Sequence, residues 1–153
     1  MHFEQLKSAL SGQWEGTKQL YFSPPPAPGI SSSSKMSIEP VAGGSFLQCT
    51  YDWSYEGDAQ SGVLLLGSDE ENIATAAWVD SFHMSSKIMF SKGTAEAGSL
   101  HVRGSYEAPP GPDWGWTIAV RALSATEFQI VMHNVSPEGQ EDLAVQIDYV
   151  RSH

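Results

Sequence analysis

Apolar and polar residues alternate with a period of two along most of this chain. Leu47, Cys49, Tyr51, Trp53 and Tyr55 alternate with Gln48, Thr50, Asp52 and Ser54. Leu100, Val102, Gly104 and Tyr106 alternate with His101, Arg103 and Ser105. Trp114, Trp116, Ile118 and Val120 alternate with Gly115, Thr117, Ala119 and Arg121. Phe128, Ile130 and Met132 alternate with Gln129, Val131 and His133, and Leu143, Val145, Ile147, Tyr149 and Arg151 with Ala144, Gln146, Asp148 and Val150. One apolar face and one mostly polar face is the signature of antiparallel strands around a single interior. The start of the chain differs. Phe3, Leu6, Lys7 and Leu10 have helical spacing, and Gly12 ends that segment well. The pattern predicts a short helix and then ten strands, at about 13–22, 33–40, 45–55, 60–68, 72–80, 84–93, 98–107, 114–122, 126–134 and 141–151. At 153 residues the chain fits one domain, 1–153, long enough for a substantial core.

Five ordered elements add to this reading. They are Leu10-x-Gly12-x-Trp14-x-Gly16, Gly43-Gly44-x-Phe46-Leu47, Gly62-x-Leu64-x-x-Gly67-x-Asp69, Trp78-x-Asp80-Ser81 and Tyr149-x-Arg151. The set resembles an uncharacterised bacterial family of single-domain barrels in the calycin superfamily, which holds the lipocalin-like and fatty-acid-binding-like proteins. Ser68 departs from that pattern, which usually has an aromatic there. The resemblance implies an all-β, up-and-down antiparallel calycin-type barrel of ten strands, and it implies no activity. In such barrels an Arg on the last strand lies over the Trp of the first strand and plugs one end, which assigns that role to Arg151 and Trp14. More distant calycin relatives carry fatty acids, retinoids, biotin or haem, an analogy of fold only.

With Trp14 and Arg151 at a closed end, the connections sort themselves. Residues 41–44, 68–71, 94–97 and 123–125 are short turns at that end. Residues 23–32, 56–59, 81–83, 108–113 and 135–140 lie at the open end and hold eight of the nine prolines. Irregular loops gathered at one mouth are where a barrel carries its function. The run Ser23-Pro24-Pro25-Pro26-Ala27-Pro28-Gly29 reads as a stiff flap over it.

Charge narrows the partners. The net charge is −10, and the eight basic residues are scattered. That opposes nucleic-acid binding, which needs clustered Lys and Arg. The densest apolar run, Val63 to Leu66, falls far short of the ~20 residues of a membrane span. No basic-then-apolar leader opens the sequence, and Cys49 is alone, so the expected location is cytoplasmic.

The candidate chemistry sits on inward positions. Tyr51, Trp53, Trp78, Asp80, Tyr106, Trp116 and Phe128 form the expected lining for a small, mainly apolar ligand, beside Tyr55, Trp114 and Tyr149. The same aromatics could instead fill the barrel solidly. A ten-stranded barrel is wide enough that side chains alone rarely do so. Lys18 shares the parity of Trp14 and Leu20 and faces in unless a bulge at Gly16 turns it out. Asp80 and His83 at the mouth admit a second reading, an isomerase, cyclase or hydrolase with Tyr55 or Tyr106 as hydrogen-bond donor. Against it, Asp and Ser are ordinary turn residues, and an exposed His83 in a short hairpin is unremarkable. Arg151 likewise reads either as a plug or as an anchor for a ligand carboxylate.

No metal or other cofactor is expected. His101 and His133 have outward parity, His2 and His153 are terminal, and no zinc-type spacing occurs. Cys49 sits among inward aromatics, where a thiol is inert packing. Outward apolar positions Ala119, Val131, Val135, Ala144 and Val150 make the wall of strands eight to ten the candidate face for a homodimer. No other apolar patch on the outer wall is legible.

Overall fold

A computed structural model of the chain describes residues 2–152. One helix, α1 (His2–Leu10), precedes ten strands: β1 (Gly12–Leu20), β2 (Ile30–Val41), β3 (Phe46–Tyr55), β4 (Asp58–Ser68), β5 (Ile73–Asp80), β6 (Met89–Glu96), β7 (Ser99–Tyr106), β8 (Trp114–Ala122), β9 (Glu127–Val135) and β10 (Glu141–Arg151). Each strand pairs antiparallel with its neighbours in sequence, and β1 pairs with β10, so the sheet closes into a barrel. This is the all-β, ten-stranded architecture that the alternation predicts. Closure leaves no edge strand exposed.

The helix and the two ends of the chain seal the floor. Phe3, Leu6 and Leu10 form the buried stripe of α1, each worth roughly 1.5–3 kcal/mol on burial. Trp14 pairs across the closing seam with Arg151. The Arg151 guanidinium carbon lies 4.3 Å from the centre of the Trp14 ring. Its nitrogens donate to the carbonyls of Ala9 (2.7 Å), Ser11 (2.9 Å) and Ala125 (3.1 Å), and Trp14 Nε1 donates to Leu10 O (2.8 Å). Carbonyls that the helix end leaves unpaired thus find donors on the barrel. Gly12 lies in this crossing at φ +133°, and a Cβ there would meet the guanidinium at 2.6 Å.

Above this floor the lumen is packed. Phe128 sets its edge on Trp14 at 4.7 Å and stacks on Tyr149 at 4.8 Å. The Tyr149 hydroxyl is hydrogen-bonded to Ser34 Oγ at 2.7 Å. Cys49, Leu47, Leu64, Leu66, Val102 and Ile118 fill the space around them. The lower barrel is solid, and free volume is found towards the mouth.

Three features differ from the sequence reading. First, β6 begins at Met89, so residues 81–88 form a longer loop than the expected 81–83 hairpin. The amides of Met84 and Lys87 bond to Asp80 O and Met84 O, coiling the chain before the strand starts. Second, the register shifts between Leu143 and Val145. This bulge moves Leu143 opposite outward His133 and sets Asp142 opposite Asn134, reversing the parity above it.

Third, the outer walls are not as expected. Ala119, Val131, Val135 and Ala144 are already buried in the single chain, and of that set only Val150 is exposed. The wall of β8–β10 therefore offers little apolar area. An apolar patch lies instead on β4–β6, where Leu65, Ala77 and Phe90 align in register and Phe46 lies over Gly67. Phe90 is 73% exposed there. Its position was missed because β6 shows no clean alternation. No helix among the described residues is long and apolar enough to cross a membrane.

Candidate functional site

The mouth is built from inward positions of four strands and one loop. β3 supplies Tyr51 and Trp53, β5 supplies Trp78 and Asp80, β1 supplies Lys18, and β8 supplies Trp116. No register shift interrupts β1, so Lys18 keeps the inward parity of Trp14. The 81–88 loop turns back over the lumen and inserts His83.

Asp80 organises this cluster. It is 2% exposed, and both carboxylate oxygens are fully engaged. Oδ2 accepts from the Tyr51 hydroxyl (2.6 Å) and Trp53 Nε1 (3.2 Å). Oδ1 accepts from the amides of Phe82 (2.8 Å) and His83 (3.0 Å). Trp78 Nε1 donates to the Tyr51 oxygen (2.8 Å), extending the chain by one link. Gly62 pairs with both Tyr51 and Asp80, and a Cβ there would overlap the Tyr51 hydroxyl. A glycine at that point lets the phenol reach the carboxylate.

Burial alone would raise the Asp80 pKa. The hydrogen bonds from Tyr51 and the two amides, with the nearby His83, outweigh burial and hold the pKa below the usual carboxylate range. Four donors on an ionised carboxylate fill its four lone-pair sites. Asp80 thus ties the start of the loop to two strands. Its side chain meets the backbone of His83, not the imidazole.

The imidazole has other partners. His83 Nε2 is 3.2 Å from Lys18 Nζ. The ring stacks on Trp53 at 5.6 Å and lies 5.5 Å from Trp78 and 5.8 Å from Trp116. Burial lowers its pKa to about 4, helped by the charge of Lys18 and opposed by that of Asp80. The imidazole is therefore neutral at pH 7. Lys18 is itself 2% exposed, with Nζ 3.2 Å above the Trp53 ring centre. Burial lowers its pKa to about 7, opposed by Asp80.

Two cavities of about 220 Å³ each flank this arrangement. The first is lined by Leu20, Phe22, Pro24, Phe82, Asn134 and Asp142, and the second by Trp78, Met84, Met89 and Tyr106. His83 and Trp116 bound both. Trp116 stacks on Trp78 at 5.7 Å, and its buried Nε1 has no hydrogen-bond partner among the described residues.

Of the residues singled out by sequence, the structure brings Tyr51, Trp53, Trp78, Asp80, His83 and Trp116 together. Tyr106 lines the second cavity, but its hydroxyl donates to Asn134 Oδ1 at 2.5 Å, away from Asp80. Tyr55 sits at the rim against Phe22 and Phe82. Phe128 belongs to the floor, stacked on Tyr149 and edge-on to Trp14, because β9 starts at the closed end. Sequence reasoning missed how deeply His83 enters the lumen. The loop length that permits it depends on where β6 begins. Among the described residues no group of three His, Cys, Asp or Glu is placed to hold a metal ion.

Fold and mouth together define a closed ten-stranded antiparallel barrel, sealed by a helix at one end and closed over by an aromatic loop at the other. The chain belongs to the family described as protein of unknown function DUF1579, whose profile matches residues 4–151. No curated protein matches the sequence significantly. Among solved structures the barrel is similar to Rv2717c from M. tuberculosis, at 13% identity and a TM-score of 0.64, covering 95% of this chain and 94% of that one. It is also similar to the S-type phycobiliprotein lyase CPES from Guillardia theta, at 14% identity and a TM-score of 0.61, covering 100% and 94%. At these identities the likeness is one of fold.

Proposed function

We propose that this protein binds a small, mainly apolar molecule in the mouth of its barrel, between the rings of Trp53, Trp78 and Trp116. The observation that carries this reading is the pair of cavities on either side of His83. Each is smaller than the roughly 300–1,000 Å³ of ordinary ligand pockets. A swing of His83 out of the lumen would join them and bring the space into that range. A rotation of the His83 side chain alone would leave the bond from its amide to Asp80 in place. Negative potential from Asp58, Asp113, Glu138 and Asp142 around the rim disfavours anionic ligands.

Acid–base catalysis by Asp80 and His83 is less well supported. A general base needs a free lone pair within reach of substrate, and all of Asp80's are occupied.

Titration with the neutral fluorophore N-phenyl-1-naphthylamine tests the binding reading. Saturable enhancement at one site per chain is expected. Trp116→Ala should weaken it by about tenfold, a loss of ~1.4 kcal/mol, and His83→Ala should tighten it by opening the lumen. No saturable binding, or binding unaffected by either change, would overturn the proposal.

A further inference from the structure

Lys18 has no role in holding an apolar molecule. A buried ammonium is costly unless it is paired, yet no carboxylate lies within 4 Å of its amine among the described residues. Its neighbours are the Trp53 face and the His83 imidazole. Asp80 is the nearby anion, committed to four other donors. The amine thus sits in the lumen one layer below the first cavity, two residues from Leu20, which lines it. The ring that covers it, His83, is the one that bounds both cavities.

We infer that the mouth captures carbonyl compounds, an aldehyde or unhindered ketone on a flat apolar body, by forming a reversible imine with Lys18. The inference rests on the binding proposal and adds the reacting group of the ligand. A lysine desolvated in an apolar pocket is the usual nucleophile of such chemistry. In the step, the neutral amine's lone pair attacks the carbonyl carbon and the carbonyl π pair moves to oxygen. One proton released from nitrogen neutralises the alkoxide to give the carbinolamine, and the second protonates the carbinolamine hydroxyl. That group leaves as water, and C=N replaces C=O. Amine and carbonyl give imine and water, so no oxidant or reductant is required.

The balance of protonation states suits this step. The Trp53 face and Asp80 favour the ammonium, whereas burial favours the amine and brings the pKa to about 7. The charged or titrating groups facing Lys18 are His83 and Asp80, from the loop and β5.

The test treats the intact protein with cinnamaldehyde and sodium cyanoborohydride, which fixes an imine as a stable amine. Cinnamyl alcohol, which cannot form an imine, serves as the non-covalent comparator. Expected is a single adduct, of the aldehyde's mass less one oxygen, mapped to Lys18. Its rate should be half-maximal near pH 7, and Lys18→Met should abolish it. Labelling spread over exposed Lys35, Lys87 and Lys92, with Lys18 unmodified in the wild-type protein, would overturn the inference. If the alcohol then still quenches the mouth tryptophans saturably, the binding proposal stands alone. If neither compound binds, both fall.

Discussion

At the scale of single residues, the mouth is held by one carboxylate and kept responsive by one amine. Asp80→Asn would place an amide nitrogen against two donors that now share a carboxylate oxygen. The expected loss is about 2–3 kcal/mol, since hydrogen bonds to a charged group are worth ~1.5–3 kcal/mol each; urea unfolding measures it. A wild-type midpoint in the variant would mean that Asp80 does not anchor the loop. Lys18 makes the opposite kind of contribution. Its pKa falls from 10.5 to about 7 on folding, so between those values the unfolded chain binds more protons. Stability should therefore rise with pH above 7, by up to ~1.4 kcal/mol per unit. Buried Cys49, raised to about 12, opposes this once its unfolded thiol ionises, so the window to examine is pH 7 to 8.5. Lys18→Met should flatten the slope and stabilise the protein at pH 7. A slope unchanged in the variant would assign it to another group.

At the scale of elements, α1 depends on the barrel for its last turn. It is too short to be stable alone, and the Arg151 side chain supplies donors for Ala9 and Ser11. Arg151→Met should cost about 2–3 kcal/mol, the worth of these bonds and the Trp14 contact. Native-state hydrogen exchange should then show faster exchange in α1 than in β1 and β10, whereas equal loss of protection throughout would contradict a helix held by this residue. The same scale shows what the sequence can and cannot tell. Strands with one apolar face, such as β3 and β7, announce themselves by parity. So do the neighbours Trp14 and Arg151, because a closed barrel must join its first and last strands. Parity fails where the backbone slips: the bulge at Ala144 reverses Leu143 and Asp142, and nothing in their residue types marks it. It also fails for loops. Asp80 is legible as inward, but its four donors come partly from the amides of Phe82 and His83. Those amides reach it only through the turn that opens the 81–88 loop.

At the scale of the whole molecule, the barrel divides its labour along its axis. The floor, with Trp14, Phe128 and Tyr149, is solid packing. The mouth adjoins the free volume through Trp78 and Trp116, with Trp53 behind His83. The tryptophans thus report on both ends, and each carries one indole N–H. The most direct test of the account is a two-dimensional ¹H–¹⁵N spectrum of the five indole groups during titration with N-phenyl-1-naphthylamine. Binding in the mouth predicts saturable shifts at Trp116, Trp53 and Trp78, with the Trp116 signal moving most because its Nε1 has no partner to lose. The Trp14 signal should stay fixed, held by Leu10 O and covered by Arg151. Saturable binding that leaves the three mouth signals unmoved, or that shifts Trp14 as much as Trp116, would contradict a ligand site at this end of the barrel.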